Sequence, residues 1–276
     1  MTYYVLPGVQ STLPTDELRR RYAECDIAAV DLDECMMPGF AQVVLGRRIA
    51  LRTALRPRRF RDLLKIPSLM QGGLHVVGMR ALEFVGCRIS RPDLMYVFER
   101  TLRGLPREYF ADAARGIPRF AYPMMQEVLT GLAGRMPVGI ISFCLEIIVQ
   151  EFVLHLNTGH REVVSFYRSN RLKFKEDEGH QVLDGYDRSC FMTTPGDKRI
   201  ALEEEMAKRG AARPLIIGHS DEDVGMAELA RERGGIAIGF TPLPSCVEAF
   251  DIVISGRDWS PILTLCCTLE DRCGTS

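Results

Sequence analysis

The chain has 276 residues, of which 46% are hydrophobic and 26% are charged. A chain of this length can bury a large apolar core without disulfides, and its composition excludes a disordered, collagen-like or low-complexity protein. The formal net charge of −1 hides an uneven distribution. Residues 41–120 hold 16 Lys and Arg against 6 Asp and Glu, whereas the rest of the chain holds 19 against 30. This segregation predicts a basic module that faces something anionic.

Cysteine usage and hydropathy indicate the compartment. The nine cysteines are scattered and form no CxxC pair, which favours a reducing cytoplasm over a disulfide framework. The first residues lack the basic start and long apolar stretch of a signal peptide. No run of 18 apolar residues occurs, so we expect no transmembrane helix and a cytoplasmic protein.

Short apolar runs alternate with amphipathic segments along most of the chain. Residues 27–30 predict a buried strand that ends at Asp31, and residues 138–141 predict another that ends at Ser142. The apolar spacing over 145–153 predicts a helix directly afterwards. Further strands are predicted over 162–167, 214–218, 235–240 and 250–254, further helices over 197–209 and 223–233, and a hairpin over 172–186. This alternation predicts an α/β fold: a Rossmann-like parallel sheet flanked by helices, with any site at the carboxyl ends of the strands.

Residues 38–128 interrupt that alternation. They are rich in arginine, with helical patterns over 40–55, 74–85 and 92–103 separated by Pro57, Pro67, Gly72-Gly73 and Pro106. We interpret them as a basic, mainly helical cap inserted into an α/β core formed by residues 1–37 and 129–276.

Asp31 and Asp33 form a carboxylate pair where the first predicted strand ends. Two residues apart, they share a face if the strand geometry persists. An ionised Asp can accept a phosphoryl group covalently, and a second Asp, kept protonated by its neighbour, can protonate the leaving alkoxide and then activate water. Many loops contain the same Asp-x-Asp pattern, so the pair alone is weak.

Three further features follow in an order that strengthens this interpretation. Ser142 offers a hydroxyl beside the N–H groups of a predicted helix start, and Lys198 offers a cation at the front of another helix. Asp221, Glu222 and Asp223 cluster after a strand and suit a hard cation such as Mg²⁺. Singly, these residues have plainer explanations as an N-cap, a solvated charge and a capping cluster. Together they favour one site.

The order Asp31-x-Asp33, strand-Ser142, Lys198 and Gly218-x-Ser220-x-x-Asp223 resembles the haloacid dehalogenase superfamily, and within it the phosphoserine-phosphatase-like branch with a helical cap after the first motif. The resemblance covers about 20–37 and 129–256. It implies that Asp31 is the nucleophile and Asp33 the general acid/base, that Ser142 and Lys198 bind phosphate, and that Asp31, Asp33 through its carbonyl, and Asp223 hold Mg²⁺.

The chain departs from that pattern at three places. Glu34-Cys35-Met36 stands where the family has a small pair, and Phe143-Cys144 where the branch often has glycines. His219 stands where the family has an acid that binds the metal directly. An imidazole favours Mn²⁺ or another transition metal over Mg²⁺. Asp221 is an alternative ligand, and a His219 that contacts no metal is a third interpretation.

The basic segment has three interpretations. It recognises an anionic substrate, it contacts an anionic membrane surface peripherally, or it pairs with acidic groups of the protein itself. Nucleic acid is not expected, since neither a binding motif nor a set of stacking aromatic residues accompanies the charge.

The predicted function is hydrolysis of a small phosphate monoester through an aspartyl-phosphate. Asp33 favours an ester over a halide, because an alkoxide needs a proton in order to leave. The alternatives are a non-catalytic or metal-altered protein of the same fold that binds an anionic ligand, and a phosphotransferase.

Overall fold

The computed structural model describes residues 3–84, 91–158 and 161–270. The strands are β1 Tyr3–Leu6, β2 Val9–Ser11, β3 Ile27–Val30, β4 Val138–Leu145, β5 Phe166–Asn170, β6 Leu172–Asp177, β7 His180–Tyr186, β8 Pro214–Gly218, β9 Ile236–Phe240 and β10 Ile252–Ile254. Eight of them form one sheet in the order β1-β2-β10-β9-β8-β3-β4-β5, while β6 and β7 form a separate hairpin. The six strands from β10 to β5 run parallel, and β1 and β2 are antiparallel additions at one edge.

Helices cover the sheet. They are α1 Thr15–Glu24, α2 Ala41–Leu55, α3 Ile66–Phe84, α4 Arg91–Leu102, α5 Arg107–Ala114, α6 Met125–Ala133, α7 Glu146–Leu156, α8 Pro195–Arg209, α9 Val224–Glu232 and α10 Ser260–Glu270. The predicted α/β fold with a mostly parallel, Rossmann-like sheet is confirmed. Within the described residues no helix is long and apolar enough to cross a membrane.

The middle of the sheet is its most apolar part. Every residue of β3, β4 and β8 is buried, as expected for parallel strands covered on both faces. Ala28 of β3 pairs with Val138 of β4 on one side and with Leu215 of β8 on the other. The carboxyl ends of these three neighbouring strands therefore meet at one edge of the sheet.

The helices α2 to α5 lie between β3 and β4 in the chain and add no strand to the sheet. Among them, α2 packs on α3 and α5, and α3 packs on α4. The β6–β7 hairpin joins this group, since the Leu183 backbone N–H donates to the Leu105 carbonyl at 2.9 Å and the Leu183 carbonyl accepts from the Gly104 N–H at 2.8 Å. The boundaries of the core and the cap stay a prediction.

The structure corrects several predicted elements. β5 covers Phe166–Asn170 rather than 162–167. Helix α3 begins at Ile66 rather than 74, because Pro67 lies in its first turn, where proline costs no hydrogen bond. Gly72 lies inside α3 and not at a break: a Cβ there would come within 2.3 Å of Thr101, so the glycine permits close contact with α4. Residue 85, the predicted end of this helix, lies outside the described residues.

Other elements have no counterpart in the sequence-based prediction. They are β1, β2, α1, α5, α6 and α10. β1, β2 and α5 are short, whereas α6 carries a clear helical period in its buried residues Met125, Val128, Leu129 and Leu132, a signal that could have predicted it.

Candidate active site

Asp31 lies at the carboxyl edge of the sheet, directly after β3. Its backbone N–H donates to the Ile217 carbonyl at 3.0 Å and so extends the β3–β8 pairing by one residue. The residue is 3% exposed. The central strand thus delivers a buried carboxylate between the ends of β4 and β8, as the sequence predicts.

Lys198 joins two of the predicted acids. Its Nζ donates to Asp31 Oδ1 at 2.8 Å and to Asp223 Oδ1 at 2.7 Å, and it lies 4.8 Å from the centre of the Phe143 ring. Neither Lys198 nor Asp223 is exposed to solvent. Residues that are far apart in the chain therefore form one buried charge cluster.

The protonation of this cluster follows from burial and charge. Burial raises the pKa of Asp31 to about 7; the charge of Asp223 adds to this shift and the charge of Lys198 opposes it. Burial alone would lower the pKa of Lys198, but the charges of Asp223 and Asp31 outweigh it and raise the pKa. The lysine therefore stays an ammonium ion between the two carboxyl groups.

Asp33 connects the end of β3 to the inserted helices. It is 4% exposed, and its Oδ1 accepts the backbone N–H of Ala41 at 2.8 Å, at the start of α2. The next residue, Gln42, donates from Nε2 to the Phe143 carbonyl at 3.1 Å. The first turn of α2 is therefore fixed directly to two of the segments that carry the site.

Ser142 lies in β4 beside β3 and is 1% exposed, but its surroundings differ from the prediction. The strand continues to Leu145, so α7 begins at Glu146 and not directly after Ser142. The Cys144 N–H donates to Ser142 Oγ at 3.2 Å. The predicted helix start directly after Ser142 is therefore wrong, because the apolar residues that follow extend the buried strand, and the anion-binding role of Ser142 stays a prediction.

Asp223 is held by the turn after β8. Its Oδ2 accepts the backbone N–H groups of His219 at 2.8 Å and Ser220 at 3.1 Å, while its Oδ1 accepts from Lys198. Asp221 points elsewhere: it is exposed, and its two oxygens lie 2.9 and 3.0 Å from Ser245 Oγ. The structure brings Asp223 into the cluster and leaves Asp221 outside it.

Each ring nitrogen of His219 lies near an oxygen atom. Nδ1 lies 3.2 Å from the Phe240 carbonyl at the end of β9, and Nε2 lies 2.9 Å from Glu34 Oε2. Burial alone would lower the pKa of His219, but Glu34 and the Phe240 carbonyl outweigh it and raise the pKa. Glu34 therefore favours the protonated form of this histidine.

The arrangement does not fit the Mg²⁺ that the resemblance implies. Both oxygens of Asp223 already accept hydrogen bonds, and His219 places an imidazole where the family has an acid. Mg²⁺ prefers oxygen ligands in octahedral geometry. Within the described part of the chain, no group of three or more His, Cys, Asp and Glu side chains is placed to hold a metal ion.

Three residues of the site were not assigned a role from the sequence. Glu34 was noted only as a departure from the family pattern. Phe143 lies against the Lys198 ammonium, and Asn170, fully buried, donates to the Phe143 carbonyl at 3.0 Å. Asn170 ends β5, but β5 has the sequence FYRSN and is not an apolar run, so the rule that finds Asp31 does not indicate Asn170.

The basic segment pairs extensively with acidic side chains. Arg52 and Arg58 both contact Asp112, at 3.0 and 2.9 Å. Arg61 contacts Asp177 and Glu178 of the β6–β7 hairpin. Pairing within the protein thus accounts for part of the segregated charge, while the substrate and membrane interpretations stay predictions.

Comparison with solved structures supports the fold. A phospho-aspartyl intermediate analogue of phosphoserine phosphatase matches with a TM-score of 0.62 at 18% identity, covering 87% of this chain and 98% of that chain. Cytosolic 5′-nucleotidase IIIB bound to cytidine matches with a TM-score of 0.64 at 15% identity, covering 97% and 95%. A HAD-family hydrolase of Salmonella enterica serovar Typhi matches with a TM-score of 0.63 at 17% identity, covering 90% and 72%.

These similarities confirm the predicted resemblance at the level of the fold. The chain has the same α/β fold as these solved structures, which include phosphoserine phosphatases and a HAD-family hydrolase. No protein-family model matches the sequence. No curated protein matches it significantly.

Proposed function

We propose that the chain is a phosphatase that hydrolyses a small phosphate monoester through an aspartyl-phosphate. The observation that carries this proposal is the buried contact of Lys198 with Asp31 and Asp223, at the edge where β3, β4 and β8 end. An ammonium ion placed on the carboxylate that attacks can also neutralise the negative charge that develops on a transferring phosphoryl group.

The reaction has two steps. First, a carboxylate oxygen of Asp31 attacks phosphorus, the bond from phosphorus to the ester oxygen breaks, and protonated Asp33 gives its proton to the departing alkoxide. Second, Asp33 takes a proton from water, the hydroxide oxygen bonds to phosphorus, and the bond from phosphorus to Asp31 breaks. Inorganic phosphate leaves, and both side chains return to their starting states.

The remaining residues of the site bind the phosphate group and position the reacting side chains. Lys198 offsets the charge of the phosphate, and the Ser142 hydroxyl serves as a further phosphate ligand on the neighbouring strand. Asp223 holds Lys198 from the side opposite Asp31. The contact of Asp33 with Ala41 couples the acid/base to the start of α2, so the inserted helices border the substrate.

Measuring ester hydrolysis tests whether Asp31 is the nucleophile. We expect the wild-type chain to hydrolyse members of a panel of small phosphate esters, and Asp31→Asn to lower turnover by more than about 10³-fold, as removal of a nucleophile does. The amide that replaces the carboxylate still offers an oxygen to Lys198, so the fold should persist. Asp16→Asn, at an exposed position in α1, is the matched control and should leave turnover unchanged.

Each alternative interpretation of the site predicts a different experimental result. An Asp31→Asn variant with full activity would show that another group attacks phosphorus. A wild-type chain that hydrolyses no ester, yet binds inorganic phosphate, would favour the non-catalytic anion-binding protein. Phosphate transferred to added glycerol in preference to water would favour the phosphotransferase.

A further inference from the structure

We propose that Asn170 is a positioning residue for Lys198: its amide holds both the Phe143 ring and the segment that leads into α8 against the lysine. This inference rests on the proposed function, because it concerns the cation that is assigned there to the phosphate group. Asn170 is fully buried at the end of β5, the strand at one edge of the sheet. By this assignment Asn170 acts through the lysine and is not itself a catalytic residue.

Strand β4 bulges where it passes the site. Ile141 pairs with Arg168 of β5. The next pair joins Leu145 to Asn170, so three residues of β4 lie opposite a single residue of β5. A bulge of this kind leaves backbone groups without their partners in the sheet and redirects side chains. The irregularity falls on residues 142–144, which carry the hydroxyl and the ring of the candidate site.

The Asn170 amide supplies a hydrogen bond that the bulge removes. Its Nδ2 donates to the Phe143 carbonyl at 3.0 Å, and the same carbonyl accepts from Gln42 Nε2 of α2 at 3.1 Å. A buried carbonyl without a donor costs free energy, so these two amides fix the peptide group at this point. The Phe143 ring thereby stays 4.8 Å from Lys198 Nζ, where the face of a ring attracts a cation.

The same amide holds the segment that leads into α8. Its Oδ1 accepts the Met192 N–H at 2.7 Å and its Nδ2 donates to the Met192 carbonyl at 2.9 Å, as a neighbouring strand would. The next residue, Thr193, donates its N–H at 2.8 Å to Asp197 Oδ2, which also belongs to the capping box of α8. Lys198 follows Asp197 directly. One side chain therefore contacts both the approach to the helix that carries the lysine and the peptide group of the ring that covers its ammonium.

Asn170→Asp tests the assignment with a side chain of the same shape. The new carboxyl group still accepts the Met192 N–H, but it offers the two carbonyls at most one donor, and only when it is protonated. We expect Lys198 to be displaced and kcat for ester hydrolysis to fall by about 10–100-fold, as for a group misplaced by about 1 Å. KM should change by less than about 3-fold, because the charge stays near the phosphate while its alignment with Asp31 is lost. Steady-state kinetics measure both.

Asn157 offers a matched control at the other edge of the sheet. Its side chain also makes three hydrogen bonds to the backbone: Nδ2 donates to the Val164 carbonyl at 2.9 Å, and Oδ1 accepts the N–H groups of Val163 and Val164 at 2.9 and 2.8 Å. These valines precede β5 and so lie at its amino end, whereas Lys198 lies at the carboxyl edge. We expect Asn157→Asp to leave kcat and KM unchanged. An equal fall in kcat in both variants would overturn the proposal, because general destabilisation would then explain the loss.

Nuclear magnetic resonance provides a readout that needs no activity. With the lysines of the full chain isotopically labelled, the Lys198 side-chain signals are identified by their absence from Lys198→Met. The ring current of Phe143 shifts these signals, so we expect Asn170→Asp to move them and Asn157→Asp to leave them in place. Lys198 signals that stay at the wild-type position in Asn170→Asp would overturn the proposal.

The two proposals fail in different ways. A wild-type chain that hydrolyses no ester overturns the proposed function, and the Lys198 signals then decide the role of Asn170. Hydrolysis by the wild type with an unchanged kcat in Asn170→Asp supports the proposed function and overturns the positioning role. If circular dichroism shows that Asn170→Asp does not fold, Asn170→Ser, which introduces no charge, is compared with Asn157→Ser by the same criteria.

Discussion

Lys198 determines the electrostatic balance of the candidate site. It is a fully buried ammonium with carboxylate oxygens at 2.7 and 2.8 Å, and the face of Phe143 lies against it. A buried charge is tolerated only where partners replace the water it has lost. Asp31 and Asp223 provide that replacement, and each carboxylate in turn depends on the lysine.

Replacing Lys198 by methionine tests this dependence. Lys198→Met keeps most of the side-chain volume but leaves two buried carboxyl groups without their cation, so we expect the free energy of unfolding to fall by about 3–5 kcal/mol. The variant should also lose affinity for inorganic phosphate. Denaturant unfolding and calorimetric titration with phosphate measure the two effects.

Lys208 provides a matched control in the same helix. It pairs with Glu205 at 3.1 Å, but its side chain is largely exposed, and Glu205 keeps Arg168 and Arg209 as partners. Lys208→Met should therefore change the free energy of unfolding by less than about 1 kcal/mol. Equal effects of the two substitutions would contradict the assignment of a special role to the buried lysine.

At the scale of elements, two capping boxes position the charged side chains of Lys198 and Asp223. Thr194 is the N-cap of α8, with its Oγ1 accepting the Asp197 N–H at 3.2 Å while Asp197 Oδ2 accepts the Thr194 N–H at 2.8 Å. Lys198 follows directly in the first turn. Ser220 and Asp223 make the same reciprocal arrangement after β8. In both cases a local Ser/Thr-x-x-Asp pattern sets where the chain turns into a helix, and this brings the side chains to the sheet edge.

Close packing of β4 against β5 requires a glycine. A Cβ at Gly139 would lie 2.0 Å from the Phe166 ring. We expect Gly139→Ala to lower the free energy of unfolding by about 1–3 kcal/mol, because the ring has to move within a packed core. Denaturant unfolding measures the change.

A substitution at Gly131 is the control for Gly139→Ala. It is an exposed residue inside α6, and nothing lies within 4 Å of a Cβ added there. Gly131→Ala should raise the free energy of unfolding by about 0.5–1 kcal/mol through helix propensity alone. Destabilisation by both substitutions would show that the packing of β4 on β5 is not the cause.

At the scale of the whole molecule, the two ends of the described chain close around the sheet. β2 pairs with β10, and α1 packs on α10. The only tryptophan, Trp259, is fully buried just before α10, and its Nε1 donates to the Cys35 carbonyl at 3.0 Å. The C-terminal part of the described chain thus supports the loop that follows Asp33.

Trp259→Phe tests this long-range support. The phenylalanine ring fills most of the space but leaves the buried Cys35 carbonyl without its donor, so we expect a loss of about 1–3 kcal/mol in the free energy of unfolding. Circular dichroism is the suitable probe, since the substitution removes the tryptophan fluorescence. Tyr4→Phe, at a residue that is 78% exposed, should stay within about 0.5 kcal/mol of wild type. A loss no larger than that of the control would mean that the Cys35 carbonyl does not depend on Trp259.

Local patterns in the sequence predicted the central elements well. The hairpin over 172–186, the helix before Gly210 and the strand over 214–218 match the structure closely, because the glycines of the hairpin, the capping glycine of the helix and the continuous apolar run of the strand are clear local signals. The edge hairpin β1–β2 and the helix α10 were missed. Their patterns are short or weak, and they depend on pairing with elements at the other end of the chain.

By itself, the sequence determined that Asp31 follows a buried strand and that Lys198 and Asp223 lie at the starts of helices, because alternation and capping act over a few residues. It also determined the α/β class, since those units follow one another along the chain. Only the tertiary structure decided which charges meet: that Lys198 lies between two aspartates, that Asp221 turns away to Ser245, and that Glu34 contacts His219. Contacts of this kind join segments remote in sequence, and the packing of the whole sheet with its helices selects them, so no local pattern encodes them.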